Sequence, residues 1–151
     1  MQRANIKKTY LNFSSLDNRP KTDKIVIHHT GNPTDDNLSA IAIHSSHQAQ
    51  GWSGIGYHYY IRKNGQIYSG RPQWAVGSHC KGLNASSLGI CLEGNFEKEK
   101  PSEEQLNSLR WLVKYLSGLF PIKNVYGHRD INATLCPGKY LYNHVSSLTP
   151  G

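Results

Sequence analysis

A histidine and a cysteine stand eight residues apart in the stretch VYGHRDINATLCPG, at His128 and Cys136. Imidazole and thiolate together suit zinc among the common metals. The spacing exceeds one helical turn, so the two can meet only on a loop that doubles back, and Asn132, Pro137 and Gly138 suit such a loop. Two ligands alone do not make a site. A third ligand, a histidine from a strand end, would complete a His2Cys set with one position left for water, which marks a catalytic rather than a structural zinc site. The absence of any C-x2-C pair also argues against a closed structural site. His28 and His29 close the run KIVIHHT, which is apolar up to that point. Side chains alternate along a strand, so at most one of the two points into a given pocket. Alternation does not say which.

These residues need elements to bring them together. KIVIHHT, ended by Gly31-Asn32-Pro33, reads as a buried strand. A helix is expected next, to about Ala49, with N-cap candidates at Asp35, Asp36 and Asn37. Its apolar face would carry Leu38, Ile41 and Ala42, and Gly51 would stop it. In GYHYYIRKNGQIYSGR, two aromatic and β-branched runs flank Asn64-Gly65. That is the pattern of a β-hairpin whose two central turn residues need positive φ. SLGICL, from Ser87 to Leu92, is a further strand. Ser102 and Gln105 form a capping box, and Leu106, Leu109, Val113, Leu116 and Phe120 recur at helical spacing, which predicts a core-facing helix over about 103–119. Asn124-Val125-Tyr126 reads as a last strand that delivers Gly127 and His128, and a short helix through about Ser147 follows. A short helical stretch is also expected around Ile6 to Phe13. The mixture implies an α/β fold, a central mixed β-sheet flanked by helices.

At 151 residues the chain is expected to form one domain, with about 1–23 as an N-terminal extension and about 148–151 as a tail or the start of a linker. No apolar run approaches membrane-spanning length, so no membrane insertion is expected. The N-terminus lacks the apolar segment of a signal peptide. Synthesis in the cytoplasm followed by release, or export by another route, is the expectation. The net charge of +7 favours polyanionic partners such as anionic cell-wall polymers. The basic residues are scattered and accompany no DNA-reading motif, which argues against nucleic acid. Three cysteines cannot all pair within one chain, and free thiols are the expected state, including Cys80 and Cys91. Trp52, Trp74, Tyr59 and Tyr60 read as packing residues. His44 and His47 read as capping or buried hydrogen-bonding residues, and His144 as solvated. His79 and Cys80, as neighbours, would face opposite ways.

Four ordered motifs carry a family resemblance: IVIHHT, HQAQGWSGIGYHYYIRKNGQIYSGR, AVGSHCKGLNASSLGICLEG and GHRDINATLCPG. From about Lys24 to Tyr140 the chain resembles the zinc-dependent N-acetylmuramoyl-L-alanine amidases of the type-2 class, which include phage endolysins, bacterial autolysins and peptidoglycan recognition proteins. The resemblance implies one Zn2+ per chain, with His28, His128 and Cys136 as its ligands. It implies Tyr57 as the active-site tyrosine. Thr134 falls where many phage enzymes carry a lysine and amidase-active recognition proteins a threonine, so it is implied as a second oxyanion donor. His79 and Asn84 match positions lining the family's peptide groove. Some branches carry a glutamate where Cys91 stands; here the nearest carboxylate is Glu93, on the same strand face by alternation. The implied substrate is bacterial peptidoglycan and the implied setting a phage or prophage endolysin. A non-catalytic recognition module on the same fold, and a cysteine peptidase using Cys80 or Cys136, are the alternatives.

Overall fold

A computed structural model describes residues 6–32 and 37–149. Six strands form one sheet: β1 (Ile6–Lys7), β2 (Lys24–His29), β3 (Tyr59–Ile61), β4 (Ile67–Ser69), β5 (Ser87–Leu92) and β6 (Asn124–Gly127). Their order across the sheet is β1-β4-β3-β5-β2-β6, and among these described strands β3 and β4 pair antiparallel while the other pairs are parallel. Three α-helices accompany them: α1 (Ala40–Ala49), α2 (Glu103–Leu119) and α3 (Lys139–Val145). This is the mixed, helix-flanked sheet that the sequence predicts.

Alternation along the strands separates two layers. Ile25 and Ile27 of β2, Leu88, Ile90 and Leu92 of β5 and Ile61 of β3 face α2 and α3. Leu106, Leu109, Leu112, Val113 and Leu116 supply the α2 side of that core, at the predicted spacing. Phe120 is the C-cap and packs on the core only in part. Each fully buried leucine contributes about 2 kcal/mol by removal from water. The capping box is present: Gln105 N–H donates to Ser102 Oγ at 3.1 Å and Ser102 N–H to Gln105 Oε1 at 3.1 Å. On the opposite face Tyr60 and Cys91 pack against Ala40 and Ile43 of α1.

Several local expectations are corrected. The Ile6–Phe13 segment is not helical: it gives the two-residue edge strand β1, parallel to β4, and then an irregular path with Tyr10 at positive φ. Leu11 and Phe13 there cover the α1-side core, so tertiary packing outweighs local helical propensity. The cap of α1 is Ser39, whose side chain accepts from Ala42 N–H at 3.1 Å, while Asn37 bonds Arg62 instead. Asp35 and Asp36 lie outside the described residues. The buried face of α1 is Ala40, Ile43 and His44, and Ile41 points to solvent. The hairpin turn is longer than a two-residue turn: Arg62 and Gln66 close a loop in which Gly65 alone has positive φ, at 87°. Asn64 instead accepts from Gln66 N–H at 2.9 Å, which holds a type I turn followed by a left-handed glycine. At the far end a single 3-10 turn follows α3, and Leu148 is buried in the core.

Candidate active site

Two parallel strands place the first two site residues. The β2/β6 register pairs Ile27 with Gly127, so His28 and His128 leave adjacent strands side by side. Their ring centroids lie 4.6 Å apart. After a 3-10 turn at His128–Asp130 the chain doubles back, and Arg129 holds the return: its N–H donates to Cys136 O at 2.8 Å and its guanidinium to Leu135 O at 2.7 Å. Cys136 Sγ then sits 3.7 Å from His28 Nδ1 and accepts from His29 N–H at 3.4 Å. One ligand atom from each of His28, His128 and Cys136 falls within 4.8 Å of the others, and this group could hold a metal ion. A tetrahedral zinc with bonds of about 2.0–2.3 Å separates its ligand atoms by roughly 3.3–3.8 Å. The donor set and the 3.7 Å separation fit such an ion.

The His28/His29 ambiguity resolves by face. His28 shares a row with Cys91 and Tyr60 across the sheet and is buried at 1 % exposure. His29 turns to the other face, where its Nδ1 accepts from Phe96 N–H at 3.1 Å. The metal-capable cluster opens into a cavity of about 590 Å³ that Tyr57, His79, Asn84 and Thr134 also line. Tyr57 precedes β3, its ring 5.1 Å from that of His28. Burial pushes its phenol well above the ordinary tyrosine range, with the thiols of Cys91 and Cys136 adding to the shift. The phenol is therefore a hydrogen-bond donor at neutral pH. Thr134 Oγ accepts from Cys136 N–H at 3.2 Å, which leaves its hydroxyl hydrogen for the cavity. Asn84 Oδ1 accepts from His79 N–H and Cys80 N–H, both at 2.9 Å, and so pins the loop it belongs to.

Residues 18–139 match the family model described as N-acetylmuramoyl-L-alanine amidase. The chain belongs to this family. Similar curated proteins include the endolysins of Enterobacteria phage K11 and Escherichia phage T7, each 32% identical over 124 residues that span 79% of this chain and 82% of the relative. Among solved structures, the endolysin amidase LysCS from Clostridium intestinale superposes with a TM-score of 0.89 at 38% identity, covering 97% of this chain and 95% of that one. Drosophila peptidoglycan recognition protein LB gives 0.86 at 26% identity, covering 95% and 94%.

Other parts of this amidase settle expectations about neighbouring residues. Glu93 does not line the cavity: it pairs with Arg62 at 3.2 Å and accepts from Leu38 and Lys63 N–H groups, each at 3.1 Å. Cys80, Cys91 and Cys136 are all free. His44 and His47 accept from Ile55 and Gly56 N–H groups at 3.0 and 2.9 Å, the buried hydrogen-bonding role expected of them. Tyr59 and Tyr60 are core residues, but Trp74 is 50 % exposed and Trp52 40 %. Trp52 stacks edge-on to His47 and lines the cavity, a site residue that reading it as sheet packing missed. Its place just past the helix stop, next to small residues, was the available signal. Asn132, read only as a loop former, bonds His128 directly.

Buried imidazoles make this fold acid-sensitive. Burial lowers His58 to about 3 and His28 and His79 well below 6.5. The unfolded chain takes up these protons near pH 6.5 while the folded chain does not, so stability falls as pH drops from 6.5 toward 3. His58 alone should cost about 2.5 kcal/mol at pH 4.5 relative to pH 7. Thermal unfolding of metal-free protein should show Tm falling steadily from pH 7 to pH 4.5; a flat profile would contradict the neutral assignment.

Proposed function

We propose that this amidase cleaves the amide bond between the lactyl group of N-acetylmuramic acid and L-alanine in bacterial peptidoglycan, using zinc-activated water, and that it serves as a phage or prophage endolysin. The observation that carries this reading is the convergence of His28, His128 and Cys136 on one point at the floor of the cavity. A zinc ion held by these three supplies a Lewis acid for the scissile carbonyl and a water whose pKa is lowered to about 7. Tyr57 and Thr134 line the same cavity, where their hydroxyls would donate to the developing oxyanion. His79 and Asn84 line the same cavity and would form part of the wall that the stem peptide meets. The +7 charge would add attraction to anionic wall polymers. Among the described residues no helix is long and apolar enough to cross a membrane.

A cysteine peptidase would need a thiolate. Burial instead pushes Cys80 up to about 11 and Cys136 up to about 12, the reverse of an activated nucleophile. The recognition-module alternative draws on the likeness to peptidoglycan recognition proteins as a group, but the thiol ligand that non-catalytic modules typically replace is present as Cys136. Digestion of defined peptidoglycan with mass analysis tests the proposal. Intact glycan strands and free stem peptides beginning with L-alanine are expected, with release stopped by a chelator and restored by zinc. Muropeptide binding without any new peptide amine would favour the recognition module. Hydrolysis blocked by a thiol alkylator but indifferent to chelator would favour the peptidase.

A further inference from the structure

Behind the two metal-facing histidines runs a chain of hydrogen bonds whose direction can be read from one end. Ser87 Oγ–H donates to Leu83 O at 2.7 Å, so toward His79 Nε2, 3.2 Å away, the same oxygen can only accept. His79 therefore carries its proton on Nε2 and presents a lone pair at Nδ1. That lone pair lies 2.9 Å from His28 Nε2, which must then be the protonated nitrogen of His28. The remaining lone pair of His28, on Nδ1, is the atom 3.7 Å from Cys136 Sγ. Asn132 does the same for His128. Its Nδ2 donates to Lys81 O at 3.1 Å, which fixes Oδ1 as the atom 2.8 Å from His128 Nε2. An amide oxygen only accepts, so His128 is protonated on Nε2 and keeps its lone pair on Nδ1.

Both supports come from one loop. Residues 79–84 supply the His79 ring and the Lys81 carbonyl, and Asn84 Oδ1 ties the loop together through the N–H groups of His79 and Cys80. The seat for the His79 ring is cut into β5: a Cβ on Gly89 would lie 2.6 Å from His79 Cγ. We infer that His79, oriented by Ser87, and Asn132 are positioning residues that lock His28 and His128 in the Nε2–H tautomer, so that both offer Nδ1 to the metal. This deepens the zinc reading and rests on it. It also gives His79 a role beyond the groove wall.

The inference is tested by zinc affinity, measured by competition with a chromogenic chelator on metal-stripped protein. His79→Ala and Asn132→Ala should each weaken zinc binding by about 10–100-fold, as loss of an outer hydrogen-bond partner does. His79→Asn, whose amide oxygen can take the place of Nδ1, should stay within about threefold of the parent. Alanine variants that bind as tightly as the parent would overturn the inference. A parent chain taking up less than one zinc would instead overturn the zinc reading. Long-range nitrogen–proton NMR of the parent imidazoles decides the tautomers without any variant: Nε2–H on both His28 and His128 is expected, and Nδ1–H on either would refute the chain of bonds.

Discussion

Replacing Cys136 with serine is expected to lower bound zinc below one per chain and to cut muramyl-alanine hydrolysis by about 10³-fold or more. Lewis-acid assistance is worth several kcal/mol, and each 1.4 kcal/mol is about tenfold in rate. A serine hydroxyl stays protonated at neutral pH and is a poor third ligand beside two imidazoles. The loop itself should survive, because contacts that hold it do not involve the Cys136 side chain: Arg129 N–H to Cys136 O at 2.8 Å and the Arg129 guanidinium to Leu135 O at 2.7 Å. Burial holds the free thiol protonated, up to about 12, so zinc uptake by the parent at pH 7 should release about one proton from it. Metal analysis, calorimetry in buffers of different ionisation heat and unfolding of the metal-free protein check the three parts. Full zinc retention by Cys136→Ser would remove this residue from the metal site.

Tyr57→Phe should cost about 10²–10³ in kcat with KM nearly unchanged, the loss seen when one oxyanion donor is removed. The ring is held by its neighbours, His28 at 5.1 Å and His47 at 5.7 Å, and its carbonyl by Arg71 N–H at 2.9 Å, so phenylalanine should occupy the same place. Only the hydroxyl is lost. Because the phenol is pushed upward, it donates a proton in a hydrogen bond and does not act as a base at neutral pH. Steady-state kinetics on a soluble muramyl peptide, with zinc content measured alongside, separates the outcomes. A raised KM with unchanged kcat would make Tyr57 a substrate-binding residue.

The His28/His29 pair shows where sequence reading ends. Period-two alternation placed the two on opposite faces, but both faces of this sheet are covered by helices, so hydrophobic pattern could not say which face held the site. The family resemblance implied His28, and the β2/β6 register supplies the physical reason by setting His28 beside His128. Glu93 shows the converse. Alternation put it on the face of Cys91, yet it lies just past the end of β5, where Arg62 claims its carboxylate. Asn132 was illegible for a similar reason, because the Lys81 carbonyl that fixes its amide comes from a distant segment, whereas Trp52 meets His47 close by in sequence and was read as packing alone.

What the sequence determined by itself was local and periodic. The capping box and leucine spacing of α2, the strands at Lys24–His29 and Ser87–Leu92 and the return loop between His128 and Cys136 follow from side-chain chemistry acting within a few residues. The ordered motifs carried the family in the same linear way. Tertiary structure alone decided which imidazole nitrogen faces Cys136, that the Ile6–Phe13 segment abandons a helix while Leu11 and Phe13 cover the α1-side core, and that one loop at 79–84 braces both histidines. Those outcomes depend on hydrogen-bond directions and packing between segments far apart in the chain, 32 residues for Asn12 and His44 and 51 for His28 and His79, which no local pattern encodes.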